Sequence, residues 1–388
     1  MTTTDRCKNM ILGALVADAA AMGLHWIYDQ TRIQAVAPHA PEFLTPDPKI
    51  YDGVPAFFAH PNRSAGAFSQ YGEQAMVMLR TLATSREEYE TADFVDGFGR
   101  HFGYGGAYVG YIDHATRDTL DNMRRFEDAA FTCAQSLPFE GNAKKVKSLV
   151  AKALPLLARH SGDKLRAAYR DALLQEDASV IAFGDPLIDA LADLPRPTGA
   201  MDLQLPAIAK LPALVAVQVA QGVSGGSSFD DAISSAVRVT SDHPTAVEYG
   251  MISAHMMAAA LTGGTVFEAT SAARAVAGPK ALSLLDEALA MTTTSNAAAT
   301  KHFGMACDLP FGVPSATHNI ANAPTFTAAI RQNIYSGGDS CGRAILVGAV
   351  MGAVHGIGGA NGIPQDWINR LEANDEVQQL LGALFDES

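Results

Sequence analysis

Strand-like alternation of polar and apolar residues is scarce along this chain, which argues against a sheet-based core and leaves helices to build one. Cysteine is sparse as well. Cys7, Cys133, Cys307 and Cys341 stand far apart, with no CxxC pair and no metal-finger spacing, so neither a zinc module nor a disulfide framework is expected. A reduced, cytoplasmic setting follows. Basic residues fall short of acidic ones, 28 Lys plus Arg against 41 Asp plus Glu, for a formal charge of −13. Such a surface repels nucleic-acid phosphates and anionic lipid, so neither is expected as a partner. No run reaches the ~18 uninterrupted apolar residues of a membrane span. Asp18 interrupts the apolar run beginning at Ile11, and no secretory cleavage pattern follows it. Gly222 to Ser228 is rich in glycine but lacks the lysine and the preceding strand of a phosphate loop, so it reads as a linker between helices.

What is present is a large apolar complement. With 388 residues, 48% hydrophobic and 18% charged, the chain can bury a substantial core. Helical spacing is read over 7–24, 71–82, 94–98, 115–134, 143–158, 163–174, 206–219, 229–239, 244–261, 266–276, 283–289, 324–333 and 344–355. No internal repeat and no clean boundary is visible, so the expectation is one all-α domain over 1–388. Prolines from Pro38 to Pro61 make that stretch an irregular loop, because each removes a donor and restricts the residue before it.

The most informative segment runs from Tyr335 through Gly337-Gly338-Asp339-Ser340-Cys341-Gly342-Arg343 into an apolar helix. The two glycines free the backbone for positive φ, and Asp339 or Ser340 suits a helix cap. Gly348, Gly352 and Gly356 recur every fourth residue, so another helix can approach closely and hold the loop rigid. Asp18, amid Leu15, Val16, Ala19 and Ala20, demands a partner if buried. His25 lies two turns on, on the same face if the first helix continues to Tyr28. Glu73 falls in the first turn of a helix, where the dipole favours an acid. Glycines interleaved with Tyr104, Tyr108 and Tyr111 prevent a regular helix and suit a sugar or base face, with Asp113, His114 and Arg117 at its edge. Pro244 opens a helix that Asp242 is placed to cap. The tract from Cys307 to Asn319 is too stiff and mixed for a spacer and is read as a pocket wall. Cys341 has no visible base beside it and reads as an inert helix-start cysteine.

Taken in order, Gly13-Ala14-Leu15-Val16-Ala17-Asp18-Ala19, the Glu73-Gln74-Ala75-Met76 region, His243-Pro244-Thr245-Ala246 and Gly337-Gly338-Asp339 with its glycine helix resemble the ADP-ribosylglycohydrolase superfamily. Within it the chain is most similar to the branch related to jellyfish J-type crystallins, through Gly-Gly-Asp-x-Cys-x-Arg. The resemblance implies an all-helical fold and a hydrolase of glycosidic bonds in ribosylated substrates, with Glu73, Asp339 and Asp18 as catalytic acids. It leaves His25, Tyr104, Tyr108, Tyr111, Asp113, His114, Ser340, Cys341 and Arg343 to meet the small-molecule substrate. Typical members carry Thr-Asp-Asp-Thr where this chain has Tyr71, Gly72, Glu73 and Gln74, and Asp-x-Asp-Thr where it has Asp339, Ser340, Cys341 and Gly342. Only Glu73 and Asp339 remain as acids to hold a hard cation, which by itself takes about six oxygens. The expectation is at most one Mg²⁺, or a metal-free pocket. Two alternatives stand beside the glycosidase: other small-metabolite hydrolysis or elimination using His25, Asp113 and His114, and a non-catalytic binding or crystallin-like protein.

Overall fold

Thr2 starts the first helix by a reciprocal cap: its hydroxyl accepts the Asp5 amide at 3.0 Å while Asp5 accepts the Thr2 amide at 2.9 Å. The helix, Thr3–Ala21, is buried on every side from Asn9 onward, so the expected apolar stripe is a whole buried cylinder. This accounts for its being the one helix among the described residues long and apolar enough to cross a membrane: 94% of that stretch is packed inside the protein. A 3₁₀ turn, Met22–Leu24, ends it, and the helix does not continue to Tyr28. His25 is extended and Trp26 takes φ 61°, a left-handed backbone that is uncommon for a bulky residue.

The computed structural model describes residues 1–85, 89–139 and 142–386, among which no strand occurs and three isolated bridges are the only ladder pairing. The all-α expectation is met. The first helix packs against Ser340–His355 through glycine. A Cβ on Gly348 would lie 2.2 Å from the Gly13 carbonyl oxygen, and one on Gly352 would lie 2.3 Å from that of Asn9. Gly356 has a different task from its two predecessors: at φ 73° it terminates the helix.

Most expected helices are present, two of them, Pro244–Leu261 and Val266–Val276, with the bounds read from sequence. The stretch 206–219 is divided at Lys210 into Pro206–Ala209 and Leu211–Ala220, because Pro212 supplies no N–H to join them. Ala178–Ala192 and Leu309–Asn322 are helices that the periodicity did not show, since Pro186 and Pro314 lie inside them. The tract from Cys307 is therefore mostly helix. Gln30–Val36, Pro48–Tyr51, Asn296–Phe303, Gln365–Asn369 and Asn374–Phe385 are further helices that the periodicity does not show, and Pro48–Tyr51 lies inside the stretch from Pro38 to Pro61 expected to be irregular, with Pro48 at its first turn where no N–H is needed. His243, not Asp242, caps Pro244–Leu261, its Nδ1 accepting the Thr245 amide at 3.1 Å, while Asp242 pairs with Arg238.

The contacts fall into two compact units, where the sequence shows no boundary. One comprises Met1–Thr116 with Met201–Ser388, the other Arg117–Ala200. The second has its own core of Leu149, Leu165, Tyr169, Phe183, Leu187 and Ile188, with the Tyr169 hydroxyl bonded to the Leu149 carbonyl at 3.0 Å. All the site chemistry below lies in the first.

Candidate functional site

The loop before the glycine-stripe helix is pinned from two sides. Gly338 accepts the Trp26 amide at 2.9 Å and donates to the Ile27 carbonyl at 2.7 Å, and the Asp339 amide donates to Met305 at 2.9 Å. Gly337 and Gly338, at φ 69° and 60°, are required there: a Cβ on Gly338 would sit 2.1 Å from the Met305 carbonyl oxygen. Beneath the loop lies Arg343, wholly buried, which donates to the Gly337 carbonyl at 2.5 Å and to Asn333 Oδ1 at 3.0 Å, while Asn333 holds the Ser340 carbonyl at 2.7 Å. Arg343 thus shapes the loop from below.

Asp339 caps the helix. Its Oδ1 accepts the Gly342 amide at 2.9 Å and its Oδ2 accepts the Tyr71 hydroxyl at 2.6 Å. Burial pushes its carboxyl up to about 6 against the opposing pull of those bonds. Asp18 is equally buried, with Oδ1 accepting the Ser69 hydroxyl at 2.5 Å and Oδ2 the Ser69 amide at 2.8 Å, and burial raises it to about 7. Cys341 lies between His25 and the first helix: His25 Nδ1 accepts its amide at 3.1 Å, and its thiol donates to the Asp18 main-chain carbonyl at 3.7 Å. His25 Nδ1 also lies 3.8 Å from Asp339 Oδ1, but a nitrogen that accepts an amide carries no proton, so this is not an ion pair. Burial holds His25 neutral, well below the usual histidine range, and holds the Cys341 thiol well above its own. A raised, buried thiol is poorly suited to act as a nucleophile.

Glu73 bonds a different set of partners, though its charge helps to raise Asp18. It faces Arg63 at 3.3 Å and His101 at 2.9 Å, with Arg63 in turn 4.7 Å above the Tyr108 ring. Tyr108 is buried and its hydroxyl bonds the Tyr111 carbonyl at 2.9 Å. Tyr111 packs edge-on against Trp26 and Phe57, at 5.0 and 5.4 Å between ring centres. Tyr104, by contrast, is fully exposed, and His114 faces solvent at a helix start, so neither lines the buried centre. The acid–base set His25, Asp113 and His114 is therefore not assembled. Asp113 itself is buried and caps the helix at the Thr116 amide, 2.6 Å away, with its Oδ2 unpartnered among the described residues. Ser340 is buried with its hydroxyl unpartnered too.

The architecture is now specific enough to compare. A family model described as ADP-ribosylglycohydrolase matches residues 1–190 and 211–388. The chain belongs to the ADP-ribosylglycohydrolase family. Crystallin J1A of Tripedalia cystophora is 24% identical over 378 residues, 97% of this chain and 94% of the relative. Crystallin J1B of the same animal is 28% identical over 178 residues, 44% of this chain and 51% of the relative. A solved ADP-ribosylglycohydrolase-related protein complex superposes with a TM-score of 0.59 at 16% identity, covering 99% of this chain and 98% of the other, which establishes the shared fold.

The three acids are fully engaged by the protein. All six carboxylate oxygens of Asp18, Glu73 and Asp339 have a protein donor within 3.3 Å. A side chain at 72 has no room, since a Cβ there would lie 2.3 Å from Asp18 Oδ2. No group of three His, Cys, Asp or Glu arranged for an ion occurs among the described residues. Residues that the sequence did not single out complete the centre. Ser69 and Tyr71 serve the two aspartates, and Lys210 lies buried near Asp113, donating to the Thr240 hydroxyl, its amine lowered by burial to about 7. His60 is 5.3 Å from His25 between ring centres. No local signal could have found these, because each acts on a partner remote in sequence.

The raised Asp18 carboxyl has a measurable consequence. Its folded value near 7 exceeds its ordinary 3.8, so the native state holds a proton that the unfolded chain releases. That contribution is full below pH about 4 and is lost as pH rises through 7. Asp18→Asn, which cannot titrate, should therefore lose its disadvantage relative to the parent between pH 5 and pH 8, by about 2–3 kcal/mol at roughly 1.4 kcal/mol for each pH unit up to 7. Urea unfolding of both proteins at the two pH values checks this; a constant difference rules it out.

Proposed function

We propose that this ADP-ribosylglycohydrolase relative hydrolyses a glycosidic bond in a small ribosylated compound without a divalent ion. In this reading Asp339 takes the proton of the attacking water, held in place by the Tyr71 hydroxyl and the Gly342 amide. Asp18, which retains its proton close to neutrality, supplies acid through the Ser69 hydroxyl, and Glu73 organises Arg63 and His101 at the rim. The observation that carries the reading is the pair of wholly buried carboxylates, raised to about 7 and about 6 and served by neighbouring residues of one segment, Asp18 by Ser69 and Asp339 by Tyr71. Two acids set near neutrality are suited to proton transfer.

The residues do not fit a hard divalent ion: each acid oxygen already accepts from the protein, and the Tyr71 hydroxyl occupies Asp339 Oδ2. A crystallin-like, non-catalytic role is the second reading, favoured by the complete burial of Asp18, His25 and Asp339. Four free cysteines support a reducing, cytoplasmic setting, and the acidic charge supports a small-molecule rather than nucleic-acid or membrane partner. The test is hydrolysis of a panel of ribosylated small molecules with and without EDTA. Turnover retained in EDTA, with no rise in melting temperature on adding Mg²⁺, is expected. Activity that requires Mg²⁺, or two ions held per chain in elemental analysis, would sink the metal-independent mechanism, and an inert protein across the panel favours the crystallin-like role.

A further inference from the structure

A surface groove of the first unit takes no part in the chemistry above. The helix Val266–Val276 turns Phe267, Thr270, Ser271 and Arg274 to one side, at the spacing of neighbours on a single face. Pro279–Ala290 turns Asp286, Leu289 and Ala290 to meet them, Ala321 completes the wall, and the space between is about 630 Å³. Phe267 and Arg274 are two turns apart, about 10 Å along the helix, so the groove has an apolar end and a charged end. At the apolar end Phe267 is 78% exposed, beside Val266 and Leu289. At the charged end Arg274 Nε meets Asp286 Oδ1 at 2.5 Å, with both side chains nearly half exposed.

A large apolar ring left in water beside an apolar hollow marks a surface that something covers. A small ligand in a space of this size is fixed by a few convergent polar groups, and here Thr270 spends its hydroxyl on the Phe267 carbonyl at 3.1 Å while Arg274 and Asp286 engage each other. A charged peptide finds nothing to attract it, since the lining carries one charge of each sign. That neutrality suits a second copy of this chain. At a formal charge of −13 two copies repel, and they meet most readily over a face where the signs cancel. A two-fold contact must also be complementary to itself. This face carries both halves of two matches, a projecting ring next to a hollow and an exposed cation next to an exposed anion.

We propose that this groove is the contact face of a reversible homodimer, in which each copy places Phe267 in the other's hollow and Arg274 opposite the partner's Asp286. The dimer is independent of the hydrolase reading, because none of its residues touches the buried acids.

Sedimentation velocity of the full chain over about 1–500 µM tests it, a range set by the weak, micromolar end of protein association. The parent should pass from monomer to dimer as concentration rises. Phe267→Ser should associate at least tenfold more weakly with an unchanged melting temperature, because the ring it removes is mostly in water. Arg274→Glu gives each copy two acids on this face and Asp286→Arg gives two bases, so each variant alone should be monomeric. Their equimolar mixture should dimerise again, a result that a folding defect in either variant could not produce. A parent that stays monomeric across the range overturns the proposal, as does a dimer undiminished by Phe267→Ser or a mixture that fails to associate. A monomeric parent that binds an apolar dye, with the binding lost in Phe267→Ser, overturns it in favour of a small apolar ligand.

Discussion

Gly348→Ala is expected to melt well below the parent. The added methyl would meet the Gly13 carbonyl oxygen at 2.2 Å and the Ala17 Cβ at 2.5 Å, and neither can swing aside, one being main chain and the other a stub on a buried helix. Relief requires moving apart two helices whose residues are almost all buried, one delivering Asp18 and leading to His25, the other beginning at Asp339. Overpacking in a core costs typically ~1–3 kcal/mol and more where backbone must shift, against a total stability of roughly 5–15 kcal/mol. Thermal unfolding by circular dichroism checks it, with Gly99→Ala as control. Gly99 lies within the helix Thr91–Phe102 with nothing near its missing Cβ, so alanine there should be neutral or raise stability by about 0.5–1 kcal/mol. Equal behaviour of the two variants would show that the glycine contact does not bear on stability.

Asp339→Asn should lower turnover by about 10²–10⁴-fold on whichever ribosylated compound the screen identifies, with the melting temperature close to the parent's. The amide preserves the local bonds: its oxygen accepts the Gly342 amide, and its NH₂ donates to Tyr71, whose hydroxyl reverses its role. What it cannot do is take a proton at neutral pH. Cys341→Ser should matter little, since the thiol is buried and protonated. Glu73→Gln should fall between them, because it removes the charge that Arg63 and His101 share, and one of the lesser causes raising Asp18, while leaving the hydrogen bonds of Asp18 and Asp339 intact. Steady-state kinetics on the three variants decides the order. A dead Cys341→Ser enzyme beside an active Asp339→Asn one would point to covalent catalysis instead.

What was legible in the sequence was local. Gly337, Gly338 and Asp339 announce a turn and a cap within three residues, and Gly348 and Gly352 announce a close helix by their spacing, so the loop and its stem were readable. The partners were not. The His25 to Cys341 bond spans 316 positions and the Tyr71 to Asp339 bond spans 268, and nothing in either neighbourhood specifies the other. Tyr71 stands where the family resemblance implies a threonine, which reads as loss of a motif until its hydroxyl is found on Asp339. Exposure misled in the other direction. Tyr104 and His114 share the glycine-rich tract with Tyr108 and Asp113, yet the first pair is outward and the second buried, Asp113 being held by its cap on the Thr116 amide. Helices containing Pro186 and Pro314 were hidden because packing tolerates a break in bonding that a periodicity count does not.

The pairing of Thr3–Ala21 with Ser340–His355 also fixes an order of events at the ribosome. The first helix is made early and its apolar surface has no mate until more than three hundred further residues have emerged, on the order of tens of seconds at common elongation rates. Until then the nascent chain carries a sticky cylinder, so its yield in a cell should depend on chaperone holding more than on the intrinsic helicity of any segment. A nascent chain stalled before Ser340 has no route to the native core.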